Sequence, residues 1–136
     1  MRNVRIDNEA GAQETLFSWA EYQRAKYPEL ELLYHIPNGG KRDARTAVNL
    51  KRQGVKAGVP DLHLPVSRGS YHGLYIELKV GKNKTTQLQD KWLSELNKQG
   101  YLAIVCYGWQ EAAQQLINYL KLDTAGKTAA EEGEKC

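Results

Sequence analysis

Asp61, Glu77 and Lys79 are the residues whose types and spacing could do chemistry in this chain. Read with a period of two, residues 73–80 put Leu74, Ile76, Leu78 and Val80 on one face of a strand and Tyr75, Glu77 and Lys79 on the other. Residues 61–66 repeat the pattern, with Leu62, Leu64 and Val66 on one side and Asp61 and His63 on the other. A short polar turn, residues 67–70, lets the two runs pair as a hairpin, and their polar faces then coincide. Two carboxylates on such a face are oxygen ligands for a hard divalent cation, and an ammonium beside them can steady an attacking water or a phosphate. His63 could serve as a base there, but a metal that activates water makes a separate base unnecessary, so it reads as a neighbour of the site. Tyr75 shares the face and could contact either substrate or site.

The elements that must position these groups follow from the rest of the chain. Residues 8–26 predict a helix, capped by Asp7 or Asn8 and stopped at Pro28, with Ala10, Glu14, Phe17 and Ala20 on one face. Glu14 interrupts that stripe, either reaching solvent from its edge or joining the other acids. Residues 31–36 predict a strand, ended by the turn signal Pro37-Asn38-Gly39-Gly40. A thin-striped basic helix is expected over residues 41–53, closing at Gly54. The loop to Asp61 carries Gly54, Gly58 and Pro60, which suggests a constrained backbone approach. Beyond the hairpin, Thr85 or Thr86 caps a helix to Gln99, with Gly100 as its stop and Leu88, Trp92, Leu93 and Leu96 as its buried stripe. On that helix Gln89 could reach over the sheet edge towards Lys79. Residues 101–106 form a continuous apolar run and predict an interior strand, and residues 109–122 a last amphipathic helix. The sum is an α/β sandwich around a small mixed sheet.

With 136 residues the expectation is one domain over residues 1–122, followed by a disordered tail over 123–136, where the composition turns to Thr, Ala, Gly, Lys and Glu. The formal charge is +3, from 19 Lys and Arg against 16 Asp and Glu, and the tail is acidic, so the body alone carries about +5. Lys41, Arg42, Arg45, Lys51, Arg52 and Lys56 stand against the single acid Asp43 between Pro37 and Gly58. Such a segment suits a polyanion: a Gly-rich turn offers free N–H groups, and the basic helix beside it can track phosphates. His35, Asn38, Gly39, Lys41, Arg42 and Arg45 are therefore the candidate nucleic-acid contacts. Cys106 and Cys136 have no metal-ligand spacing, which favours a reducing compartment. There is no charged-then-apolar leader and no apolar run near ~18 residues, so the expectation is a cytoplasmic protein without membrane contact.

Val59-Pro60-Asp61 with Glu77-Leu78-Lys79 resembles the signature of the PD-(D/E)XK nuclease superfamily. More narrowly, His35-Ile-Pro-Asn-Gly-Gly40, Gly54-Val-Lys-Ala-Gly-Val-Pro-Asp61, Tyr75-Ile-Glu-Leu-Lys79 and Gln89-Asp-Lys-Trp92, followed by Gly100-Tyr101, resemble the VRR-NUC (virus-type replication-repair nuclease) family over residues 14–120. The resemblance implies a helix-first αβββαβ core. It implies Glu14, Asp61 and Glu77 as acids around a Mg²⁺ or Mn²⁺ ion, the Leu78 carbonyl as a further ligand, Lys79 as the catalytic cation and Gln89 as its support. Small stand-alone members of the family act as dimers on branched DNA, and this chain looks like that virus- or bacterium-encoded type, with the host cytoplasm as its place if virus-encoded. The leading expectation is thus a metal-dependent endonuclease for branched DNA, resolving four-way junctions as a homodimer whose two-fold axis matches the junction's. A flap-cutting or nicking nuclease with the same site is the nearer rival, and a non-catalytic nucleic-acid-binding module of nuclease fold the further one.

Overall fold

A computed structural model describes residues 8–37 and 43–124. Asn38, Gly39, Lys41 and Arg42, and the tail from residue 125, lie outside the described residues. The chain runs α1 (Glu9–Gln23), a 3₁₀ turn (Pro28–Leu32), β1 (Tyr34–His35), α2 (Ala44–Arg52), β2 (Leu62–Leu64), β3 (Leu74–Lys79), α3 (Gln87–Lys98), β4 (Leu102–Tyr107) and α4 (Trp109–Leu120). This is the expected α/β nuclease-like core, a four-stranded mixed sheet flanked by helices, with α2 inserted between its first two strands. Among the described residues no helix is long and apolar enough to cross a membrane.

The sheet order is β1-β2-β3-β4, antiparallel as far as β3 and parallel between β3 and β4. A parallel pair needs a crossover, and α3 provides it. Leu62, Leu64, Leu74, Ile76, Leu78 and Cys106 bury one face of the sheet against Ala12 and Leu16 of α1 and Ala112, Leu116 and Tyr119 of α4. Burial pushes the Cys106 thiol up to about 12, so it packs as an apolar residue rather than a reactive one. The Tyr119 hydroxyl donates to the Val66 carbonyl at 2.6 Å, which satisfies the polar end of a buried ring.

The opposite face has two covers. Over β4 lies α3, whose Asn97 amide donates to the Ala103 carbonyl (2.9 Å) and accepts from the Ala103 N–H (3.1 Å), so one side chain imitates a neighbouring strand. Nearer β1 the cover is aromatic: the rings of His63 and Tyr75, paired across β2 and β3, stack 4.1 Å apart, with Tyr34 and Tyr101 edge-on to His63. Gly73 sits beneath them, where an added Cβ would lie 3.2 Å from the Leu64 carbonyl.

Several elements differ from expectation. Residues 28–32 wind into a 3₁₀ turn because Pro28 starts a helical turn, and the first strand shrinks to Tyr34–His35. The apolar run at 101–106 forms an edge strand, not an interior one; it reads apolar because helices lie over both of its faces. No residue of α3 is fully buried, and Leu88 is 50% exposed. Glu77 and Lys79, expected on a half-solvated face, are 1% and 6% exposed.

Candidate active site

The site forms where β2 and β3 stop pairing. Their register sets Leu62 opposite Ile76, which would put Pro60 opposite Leu78. Proline has no N–H to donate, so the ladder ends there. The Leu78 N–H turns instead to the Asp61 carboxylate, donating to Oδ2 at 2.8 Å. A residue's N–H and C=O leave a strand on the same edge, so the Leu78 carbonyl faces this opening too. Asp61 is held from behind as well: its own carbonyl accepts from the Ile36 N–H (2.7 Å) and from His35 Nδ1 (3.0 Å).

The loop before Asp61 shows why glycine stands at position 58. Gly58 has φ +92°, and an added Cβ would lie 2.8 Å from the Leu88 Cβ and 2.9 Å from the Leu88 backbone carbon. The loop is thereby pressed onto the start of α3, which brings Asp61 and Gln89 to the same end of the sheet.

Carboxylate oxygens of Glu9, Asp61 and Glu77 lie within 4.8 Å of one another. Glu77 is the deepest. Its Oε2 lies 3.6 Å from Lys79 Nζ and accepts from Gln89 Nε2 at 3.2 Å, while its Oε1 is buried without a hydrogen-bond partner. Burial, aggravated by the Asp61 carboxylate beside it and only partly offset by Lys79, pushes the Glu77 carboxyl up to about 8. Lys79 Nζ lies 4.0 Å from Glu9, so the one ammonium faces two of the three acids. Three crowded acids, one of them with an orphaned buried oxygen, fit a divalent cation: all are hard oxygen donors, and a cation would relieve both the repulsion and the unmet acceptor.

The sequence placed Asp61, Glu77, Lys79, Leu78 and Gln89 together, and the structure does so. Gln89, however, reaches Glu77 rather than Lys79. Glu14 does not join them. Five residues along α1 from Glu9 it is turned by about 140° and raised by about 7.5 Å, on the exposed side of the helix. The buried stripe of α1 is Ala12, Leu16 and Ala20, and three residues before Ala12 it arrives at Glu9, which also meets Asn83 Nδ2 at 3.4 Å. That stripe, with Glu9 three residues before Ala12 on the same helix face, was the available signal for Glu9; the expected face through Ala10 and Phe17 was rotated away from it. His63 stays in the aromatic cluster, its Nδ1 hydrogen-bonded to the Tyr34 hydroxyl at 2.8 Å, and burial lowers its pKa, so it is a neutral packing group. Burial, with Tyr101 and Tyr34 near, raises the Tyr75 hydroxyl. Arg45 is exposed on α2 beside Asn49 and Arg52.

The VRR-NUC domain model matches residues 7–110. A solved structure described as "VRR_NUC domain protein" shares 32% identity with this chain, covers 91% of it and 94% of its own length, and superposes with a TM-score of 0.75. No curated protein matches the chain. A sheet fork with clustered acids and a buried lysine, set in a fold and a sequence that both match, leads to one conclusion: the chain belongs to the VRR-NUC domain family, and is a DNA-processing module of nuclease fold.

Proposed function

We propose that this protein is a divalent-metal-dependent endonuclease that hydrolyses phosphodiester bonds in branched DNA, four-way junctions above all, as a homodimer. The observation that carries the reading is the meeting of Glu9, Asp61 and Glu77 within 4.8 Å, with an unmet buried oxygen on Glu77 and an ammonium 3.6 Å from that carboxylate. Those three acids and the Leu78 carbonyl would hold Mg²⁺ or Mn²⁺, which when bound lowers the pKa of water and neutralises charge on phosphate oxygens. The chain's own residues do the rest. Lys79 fixes a positive charge where negative charge develops in the transition state, and Gln89 holds the Glu77 carboxylate in place.

The DNA path runs over α2. Asp43 caps this helix through the Thr46 N–H, and those hydrogen bonds lower the Asp43 pKa. Arg45, Asn49 and Arg52 recur at helical spacing along one exposed face, lining a shallow groove with Ala44 and Val48. Arginine there pairs with phosphates, and the other candidate contacts His35, Asn38, Gly39, Lys41 and Arg42 precede this helix in the chain. A second copy is supported by α3, whose Leu88 is half exposed and whose Trp92, Leu93 and Leu96 are only partly covered.

The test is cleavage of labelled four-way, flap, nicked and linear duplexes with Mg²⁺, Mn²⁺ or chelator, together with sedimentation to count copies. Symmetric metal-dependent cuts in the four-way substrate by a dimer are expected. Preferred cutting of flaps or nicks would move the substrate, and binding without cleavage in either metal would make this a non-catalytic module.

A further inference from the structure

Gln89 is bound at both ends of its amide. Its Oε1 accepts from the Thr86 main-chain N–H at 2.9 Å, while the Thr86 hydroxyl accepts from the Gln89 N–H at 3.2 Å, the reciprocal pair of a capping box at the start of α3. Its Nε2 donates to Glu77 Oε2 at 3.2 Å. A main-chain N–H can meet only the oxygen of a carboxamide, so the amide's orientation is dictated by the backbone. Ordinary capping boxes take Glu or Gln at this position alike. Here the outer end meets Glu77 Oε2, which accepts from it, and glutamine offers an oxygen to Thr86 and an N–H to Glu77 at once.

We infer that the main-chain N–H of Thr86 is a positioning group for the metal site, acting through Gln89. It points the Gln89 amide nitrogen at Glu77 Oε2. That oxygen, held by Gln89 and facing Lys79, is occupied, and the buried Oε1 is left as the atom offered to the cation. The inference rests on the reading of Glu9, Asp61 and Glu77 as metal ligands and adds which Glu77 oxygen binds and what selects it. The helix cap and the metal site thereby share one side chain: fraying the first turn of α3 frees the Gln89 amide to rotate.

The experiment is Mn²⁺ calorimetry and thermal melting of the whole chain as wild type, Thr86→Ala, Thr86→Pro and Gln89→Met. Thr86→Ala removes the hydroxyl but keeps the N–H. Thr86→Pro removes both at a φ of −87° that lies near proline's range. Both should melt lower through the lost cap. Thr86→Ala should hold Mn²⁺ within about twofold of wild type, whereas Gln89→Met and Thr86→Pro should bind it about 10-fold more weakly, the usual size for loss of a group that orients a metal ligand. If Thr86→Pro fails to fold, Gln89→Met against Thr86→Ala carries the comparison. Equal Mn²⁺ affinity in all variants would overturn the positioning role while leaving the metal site standing. A wild type that binds no Mn²⁺ would overturn both.

Discussion

Asp61 Oδ2 accepts the Leu78 main-chain N–H at 2.8 Å, so a candidate metal ligand also completes the sheet edge that Pro60 leaves unfinished. The two duties separate by substitution. Asp61→Asn keeps an oxygen for the Leu78 N–H and loses the charge, whereas Asp61→Ala loses both. Neither should cleave DNA. In chelator, Asp61→Ala should be less stable than Asp61→Asn by about 1 kcal/mol or more, the cost of an unmet, partly buried N–H. Denaturant melts of both variants decide it.

Glu9 and Glu14 lie on the same helix with opposite expected effects. Glu9→Gln should weaken Mn²⁺ binding and turnover at least 10-fold, since it removes one of the three clustered carboxylates. Glu14→Gln, on the exposed side, should change neither by more than about twofold. Calorimetry on the pair identifies which acid the metal uses.

Lys79→Ala should keep metal binding and lose turnover by about 10²- to 10³-fold. A protonated ammonium is not a ligand, so the ion loses no partner and is freed of a nearby like charge. Near-normal single-turnover cleavage in the variant would reduce Lys79 to a structural counter-ion of Glu77.

The raised Glu77 pKa predicts how stability of the metal-free protein depends on pH. The folded state holds this proton up to about pH 8, whereas an unperturbed glutamate carboxyl releases it near 4.5. The folded state therefore binds more protons in that window, and stability should fall as pH rises through it, by on the order of a few kcal/mol. Glu77→Gln should flatten this slope in chelator and raise the melting temperature at pH 8. For the wild type, added Mn²⁺ should restore more stability at pH 8 than at pH 5.

On α2, Arg45→Ala with Arg52→Ala should weaken binding to every DNA substrate. The slope of log affinity against log salt should become shallower by roughly one unit for each phosphate that an arginine no longer neutralises. Cleavage at saturating protein should suffer less. An unchanged slope would move the DNA path off this helix.

The shared placement of Glu77 and Lys79 was legible because strand alternation is strict. Once Leu74, Ile76 and Leu78 faced the core, Glu77 and Lys79 had to share the other side, and the glycines and proline before Asp61 marked a constrained backbone approach. The depth of that side was not legible. Alternation gives a face, not what covers it, and Gln89 of α3 and Glu9 of α1 close over residues that looked half-solvated. Glu9 was missed for a related reason: with Gly11, Ala12 and Ala20 among its buried residues, α1 has too weak an apolar contrast to fix its rotation, and a helix turned by one position exchanges its candidate acids. An apolar run such as 102–107 states that two faces are covered but is silent on whether a strand lies at either edge.

The Asn97 amide has a consequence for how copies of this protein can meet. On the outer edge of β4 it occupies both main-chain groups of Ala103, and the Glu111 carboxylate takes the Tyr107 N–H at 3.1 Å, so side chains already engage part of that edge. An edge occupied in this way is a poorer template for a ladder. At the far side of the sheet, β1 is only two residues long. Among the described residues both borders are therefore blunted as templates for another strand, which works against fibrous aggregation of concentrated protein. It also favours side chains on helices or loops as the surface through which a dimer would join, so such an interface can be disrupted by point substitutions without disturbing a strand.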